Sequence, residues 1–144
     1  MTTREDEAAQ RLKRAHVLHS NHRIDEAVTE ARAALDFDPG YTDALTYLGT
    51  TLITRRLDFR GGLVYLEKAV GLAPDDAGVH YSLGWCYEFV AYRLEKQATS
   101  AYRDPIELYE LAAKELQRCI DLDPEPGLKA DAEDLLDSIQ ARLE

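Results

Sequence analysis

Residues 24–39 read IDEAVTEARAALDFDP, and the pattern of small and apolar residues in this stretch returns twice along the chain. The later copies are FRGGLVYLEKAVGLAP at residues 59–74 and YELAAKELQRCIDLDP at residues 109–124. The matching positions are Ala27, Ala31, Ala34 and Pro39, then Gly62, Leu66, Ala69 and Pro74, then Ala112, Leu116, Cys119 and Pro124. This spacing predicts a helix that ends before each proline and carries the small residues on one face. A neighbouring helix can approach that face closely.

A second pattern follows the first two prolines at a constant distance. Leu45, Leu48, Gly49 and Leu52 recur as His80, Leu83, Gly84 and Tyr87. A glycine inside a helix costs about 1 kcal/mol, so two glycines at the same phase indicate a steric need for close packing. The equivalent residues before Ala27 are Arg11, Arg14, Ala15 and Leu18. Arginines are poor core residues, but a terminal repeat with one face in water tolerates them.

These residues resemble the tetratricopeptide-repeat (TPR) family, a helix-turn-helix unit of about 34 residues with the pattern W-x2-L-G-x2-Y, A-x3-F-x2-A and a closing proline. The resemblance covers about residues 8 to 124. From Pro39 to Pro74 is 35 residues, close to one unit. From Pro74 to Pro124 is 50 residues, so the third repeat carries about 16 extra residues between its helices.

The resemblance implies an all-α fold, an α-α superhelix of three TPR helix-turn-helix repeats plus a C-terminal capping helix. We predict a single domain over residues 1–144, with repeats at about 8–41, 42–76 and 77–126, an insertion near 89–105 and the capping helix at 127–143. The predicted helices span about Arg4 to Ser20, Ile24 to Phe37, Thr42 to Arg56, Phe59 to Leu72, Ala77 to Lys96, Pro105 to Leu122 and Gly127 to Leu143. Thr2 with Glu5 is expected to cap the first helix.

Composition excludes several classes of partner. The chain has 144 residues, a formal net charge of -10 and a pI of about 4.8, so it repels nucleic acid and anionic lipid surfaces. No apolar stretch approaches the roughly 20 residues that span a bilayer, and the acidic residues 1–7 do not form a secretory signal. Cys86 and Cys119 have no CxxC pairing, and a buried, reduced state is expected. We therefore predict a cytoplasmic protein without membrane insertion.

In TPR arrays the first helix of each pair lines a concave groove in which partners lie. The resemblance places three sets of residues there: Leu12, Lys13, His16 and His19; Asp43, Thr46, Tyr47, Thr50 and Ile53; and Tyr81, Ser82, Trp85, Glu88 and Phe89. Tyr47, Tyr81 and Trp85 are the candidate anchors, because tyrosine and tryptophan dominate binding hot spots. The alternative is that Tyr81, Trp85 and Phe89 pack against the insertion or the capping helix.

One TPR subclass grips a terminal carboxylate with a clamp of lysines, asparagines and a further basic residue. The matching positions here hold Leu12, His16, Tyr47, Gly78 and Ser82. None of them supplies a clamp side chain, so the sequence predicts no capture of a terminal carboxylate by this mechanism.

The insertion is this chain's own feature. Leu83, Tyr87, Val90 and Leu94 continue one apolar stripe, which predicts that the helix runs on into a projecting hairpin with its tip at residues 97–104. Such a hairpin can be a docking surface, with Tyr92 and Tyr102 as the residues to test. The alternative is that the insertion is a variation of the repeat that packs on the rest of the array.

Catalytic and metal chemistry find little support in the sequence. His16, His19 and His22 are three residues apart, a step that drifts around a helix, and no cysteine or acid completes a metal site. No GxSxG, phosphate loop or HExxH motif occurs. We predict no enzyme and no cofactor. The predicted function is an adaptor that binds a protein or peptide in the groove, and the alternative is a self-associating scaffold subunit, a homo-oligomer.

Overall fold

The computed structural model describes residues 3–97 and 102–144, which form seven α-helices and contain no strand. The helices are α1 (Arg4–Ser20), α2 (Ile24–Phe37), α3 (Thr42–Arg56), α4 (Phe59–Leu72), α5 (Ala77–Glu95), α6 (Pro105–Asp121) and α7 (Pro126–Leu143). The predicted bounds of α1 to α4 are confirmed. Helices α5 and α6 end one residue earlier than predicted, and α7 begins one residue earlier. None of the helices in the described ranges is long and apolar enough to cross a membrane.

Contacts divide the chain into two compact units, Met1–Leu72 and Ala73–Glu144. In the first unit α1 packs against α2, α2 against α3, and α3 against α4. In the second unit α5 packs against α6, and α7 packs against both. The single domain over residues 1–144 stays a prediction.

The start of α1 is fixed by a reciprocal cap. The Asp6 backbone N–H donates to Thr3 Oγ1 at 3.0 Å, and the Thr3 N–H donates to Asp6 Oδ2 at 3.2 Å. The predicted cap of Thr2 with Glu5 is therefore wrong by one residue, because neighbouring threonines and neighbouring acids offer the same spacing twice. Thr2 itself lies outside the described residues.

The helices of the second unit also begin at acidic caps. Asp76 and Asp104 each accept a backbone N–H of the first turn that follows, at 3.2 and 3.1 Å. Pro105 and Pro126 stand at the first position of α6 and α7, where no backbone N–H is needed. Each of these residues acts within the first turn of its own helix. The sequence alone therefore predicts where these helices begin.

Small and aliphatic side chains form the core of each unit. In the first unit the closely packed alanines are fully buried: Ala8, Ala15, Ala27, Ala31, Ala34 and Ala44. In the second unit Leu83, Val90, Leu108 and Leu116 are the main core residues. Cys86 and Cys119 are buried thiols and are not joined in a disulfide, as predicted.

The glycines at matching phase mark the closest approach of paired helices. A Cβ built on Gly49 would lie 2.7 Å from the carbonyl oxygen of Gly62, and one on Gly62 would lie 2.6 Å from that of Gly49. The backbones of α3 and α4 are therefore in direct contact. Between α5 and α6 the approach is looser, since a Cβ on Gly84 would lie 2.9 Å from Leu116 Cγ. The close packing predicted at Gly49 and at Gly84 is confirmed.

His80 occupies a core position of α5 and is almost fully buried. Its Nδ1 lies 2.6 Å from Glu115 Oε2 on α6, and its Nε2 lies 2.7 Å from the backbone carbonyl oxygen of Pro74. Both ring nitrogens thus have a partner, as buried polar atoms require. The ring joins α5, α6 and the turn before α5.

We expect Gly49→Ala to destabilise the protein by about 1–3 kcal/mol, because the added methyl group overpacks the contact between α3 and α4. The matched control is Gly71→Ala in α4, where a Cβ would meet nothing within 4 Å. That change should stabilise by about 0.5–1 kcal/mol through helix propensity. Urea unfolding followed by circular dichroism measures both. Equal stability of Gly49→Ala and wild type would contradict the close contact.

Candidate partner-binding site

In the first unit, two histidines of α1 hold a tyrosine of α3. His19 Nδ1 lies 2.9 Å from the Tyr47 hydroxyl oxygen. The His16 and His19 rings meet the Tyr47 ring edge-on, with centroids 5.1 and 5.6 Å away. Tyr47 stays partly exposed. The predicted groove residues His16 and Tyr47 are thus brought together, and the contacts fix the orientation of the tyrosine ring.

The electrostatics of this cluster follow from partial burial and from nearby cations. Burial lowers the pKa of His19, and the charges of Arg55, His16 and His22 lower it further. Burial also raises the pKa of Tyr47. Both shifts favour the neutral form of the side chain, so the cluster presents an aromatic surface that carries hydrogen-bonding atoms but little charge.

A shallow depression adjoins the cluster, between α1 and the start of α3. Its volume is about 440 Å³, and it is lined by Ala9, Leu12, Lys13, His16, Val17, Ser20, Tyr41 and Asp43. Lys13 and His16 are exposed there, as the groove assignment expects. Thr50 is less free to bind a ligand as a donor, because its hydroxyl donates to the Thr46 carbonyl oxygen at 2.8 Å.

In the second unit, α5 carries a pair of stacked aromatic rings. Trp85 and Phe89 lie one turn apart, with centroids 5.5 Å apart and planes inclined by 21°. Both side chains are partly exposed, while Cys86 and Val90 beside them are fully buried. The Arg93 guanidinium lies 5.2 Å from the centroid of the Phe89 ring. Sequence reasoning identified the aromatic pair but not the arginine above it.

Tyr81 and Glu88, on the same helix, are near α7. Burial raises the pKa of Tyr81, and the charge of Asp131 on α7 adds to this. Burial also raises the pKa of Glu88, against the opposing effect of Arg142 on α7. Two of the predicted groove residues are therefore influenced by the last helix, whereas Trp85 and Phe89 pack on each other.

The C-terminal end of α5 and the N-terminal part of α6 form hydrogen bonds with each other and with the C-terminal end of α7. The Tyr109 hydroxyl donates to Glu95 Oε2 at 3.0 Å, and Arg142 Nη1 donates to the same oxygen at 3.1 Å. Arg142 also lies 5.7 Å from the ring centroid of Tyr92, which is 43% exposed. Tyr102 follows residues 98–101 of the predicted tip, which lie outside the described residues, and its side chain is half-buried.

Two further features bear on the chemistry of these surfaces. At the clamp positions Leu12 is buried and His16 and Tyr47 contact each other, so none of these three presents a cation of the clamp type.

Within residues 3–97 and 102–144, no group of three or more histidine, cysteine, aspartate or glutamate side chains is arranged to hold a metal ion.

Two solved structures are similar to this chain over most of its length. The first TPR of Spaghetti (RPAP3), bound to the HSP90 peptide SRMEEVD, has a TM-score of 0.74 at 19% identity, covering 96% of this chain and 94% of that chain. The N-terminal domain of stress-induced protein-1 (STI-1) from C. elegans has a TM-score of 0.60 at 14% identity, covering 94% and 98%. No protein-family model and no curated protein sequence matches the chain. The likeness confirms the predicted fold class, all-α with TPR-type helical hairpins.

We expect the pKa of His19 to lie below 6.5 and to rise when Arg55 is replaced by glutamine, because a nearby cation is removed. The matched control is Arg56→Gln, since Arg56 pairs with Asp25 and does not contact the histidine cluster. Titration of the histidine ring protons by NMR measures the shift. An equal effect of both arginine variants would contradict the assigned cause.

The sign of the accompanying stability change follows from linkage. Between the folded-state pKa of His19 and 6.5 the unfolded chain binds more protons than the folded one. Stability should therefore rise with pH through this window, and the contribution of His19 should be lost as pH falls through its folded-state pKa. In a His19→Gln variant this part of the pH dependence should disappear.

Proposed function

Because the chain has the fold of TPR domains, we propose that it is a non-enzymatic protein-interaction module. Its partner is a peptide or helix of another protein, bound against the exposed faces of α1 and α3 in the first unit and of α5 in the second. One observation carries the proposal: Tyr47, Trp85 and Phe89 remain partly exposed on these first helices, although Leu48 and Val90 beside them are fully buried.

Tyr47 is the proposed anchor in the first unit. Tyrosine buries a large apolar area on binding and keeps a polar hydroxyl, and its contacts with the two histidines reduce the entropy that binding must remove. Lys13, His16 and Thr50 are the surrounding contacts. Lys13 and His16 also line the adjoining depression, which has room for one side chain of a partner.

Trp85 and Phe89 are the proposed anchors in the second unit. The parts of the two stacked rings that remain exposed offer apolar area to an aliphatic or aromatic side chain of the partner. Tyr81 and Glu88 lie on the α7 side of this surface and offer a phenol and a carboxyl group for hydrogen bonds. Burial raises the pKa of the Glu88 carboxyl group, and the nearby charge of Arg142 opposes this shift.

The chemistry of the partner is proposed to differ from that of the peptide in the similar structure. SRMEEVD, bound by the first TPR of Spaghetti, is rich in acidic residues. This chain carries a net charge of -10 and has no clamp cations at Leu12, His16 or Tyr47. Since the clamp cations are missing, we propose a partner segment held by apolar or aromatic anchors and not by its terminal carboxylate.

The non-enzymatic role is proposed on the distribution of titratable groups. His16 and His19 are in the first unit and Glu88 is in the second, so the titratable residues of the predicted groove do not belong to one unit. We propose an adaptor or scaffold role without a cofactor. A cytoplasmic location is proposed because Cys86 and Cys119 are buried thiols and not a disulfide.

The test is affinity capture from native cell lysate with the wild-type protein and three variants. Tyr47→Ala with Trp85→Ala removes one anchor from each unit. Val64→Ala with Ile106→Ala is the matched control, because these two exposed apolar side chains lie on second helices, one in each unit. A Tyr92→Ala variant tests the insertion surface, to which Tyr102 also belongs. Circular dichroism must first show equal helicity for all of them.

We expect a partner that wild type and the control retain and that the anchor variant loses by at least about tenfold, the effect of 1.4 kcal/mol. Loss in Tyr92→Ala alone would move the site to the insertion. Equal retention by all four proteins would contradict binding at the first helices.

A further inference from the structure

Charge is distributed unevenly along the chain. Residues 8–24 contain Arg11, Lys13, Arg14, Arg23 and three histidines but no aspartate or glutamate, although the chain as a whole carries a net charge of -10. Two of these cations are already paired within the first unit, Arg11 with Glu30 and Arg23 with Glu26. Within the described part of the chain, Lys13 and Arg14 form no ion pair.

The unpaired cations border an apolar depression on α1. The depression has a volume of about 460 Å³ and is lined by Gln10, Lys13, Arg14, Val17 and Leu18 of α1 and by Glu30 of α2. Val17 is 56% exposed at its edge. Gln10, Lys13, Arg14 and Val17 are three or four residues apart, so they share one helix face. We call these four residues the α1 face.

The opposite charge is concentrated on α7. From residue 130 to residue 141 the helix contains Asp131, Glu133, Asp134 and Asp137 and no lysine or arginine. All four acids are exposed. Ala130, Asp134, Asp137 and Ala141 recur at helical spacing and are all exposed, and neither aspartate forms an ion pair with a described residue. We call these four residues the α7 face.

We propose that the α1 face of one copy docks on the α7 face of a second copy. The complementary charges select the partner: Lys13 and Arg14 meet Asp134 and Asp137, and none of these charges is paired with a described residue of its own chain. The alanines of the α7 face leave room for Val17 and for the aliphatic part of Arg14. A face that is both apolar and cationic fits a helix that offers small side chains between carboxylates.

This pairing is heterologous, because the two faces differ. Every copy carries one of each, so association continues head to tail as the protein concentration rises. The contact depends on exposed charges, which salt screens over about 10 Å at 0.1 M ionic strength. Association should therefore weaken as sodium chloride is added.

The test is sedimentation velocity over a range of protein concentrations at low and high salt. The α1 variant is Gln10→Glu with Arg14→Glu, and neither residue belongs to the proposed peptide site. The α7 variant is Asp134→Lys with Asp137→Lys. Arg32→Glu with Gln117→Glu is the matched control, because it makes the same two exchanges on exposed residues of α2 and α6.

Wild type and the control should form larger species as the concentration rises, and added salt should reduce them. The α1 and α7 variants should each stay monomeric. An equimolar mixture of these two variants should associate again, because the unchanged α7 face of the α1 variant binds the unchanged α1 face of the α7 variant.

A wild type that is monomeric up to millimolar concentration would overturn the proposal. So would association that survives both reversals, or a mixture that stays monomeric. Since the α1 variant keeps Tyr47 and Trp85, retained capture of a peptide partner alongside lost self-association separates this inference from the proposed function.

Discussion

The structure depends on the close approach of the two helices in each hairpin, which small residues permit. At Gly49 and Gly62 the backbones of α3 and α4 touch, and neither position has room for a Cβ atom. In α1 and α2 fully buried alanines serve the same purpose. Where Gly84 faces Leu116, the distance is larger and a side chain fills the gap. Large side chains are thereby excluded from the crossing and are placed elsewhere on the first helices.

That exclusion connects the fold to the candidate surfaces. Helices α3 and α5 turn Gly49 and Gly84 toward their partner helices. Tyr47, Trp85 and Phe89 stay partly exposed, whereas Tyr87 of α5 is buried in the core. Tyr47 is held by His16 and His19, and Trp85 by Phe89, so these rings are ordered without being fully buried. Aromatic rings that are already ordered and partly exposed lose little entropy when a partner binds. This property fits the proposed interaction module.

Sequence signals that act over a few residues made most of the fold predictable. Contacts between residues far apart in the sequence could not be predicted. The prolines, the capping residues and the small-residue pattern each act within a few positions, and they were enough to predict α1 to α4 residue by residue. The cap at Thr3 was missed because adjacent residues offered the same spacing. The contact of Arg142 with Glu95 joins residues 47 positions apart, and a single sequence carries no signal for such a pair. The same holds for the contact of His19 with Tyr47: the repeat pattern predicted a shared groove for them but not their hydrogen bond.

The central claim is that the first helices, α1, α3 and α5, carry the partner. The most direct measurement is to select a binding peptide from a random library and to map it by amide chemical-shift changes in isotope-labelled protein. The largest changes should fall on these helices, around Lys13, Tyr47 and Trp85, and Tyr47→Ala with Trp85→Ala should abolish them. Changes confined to the second helices α2, α4 and α6, or unaltered in that variant, would contradict it.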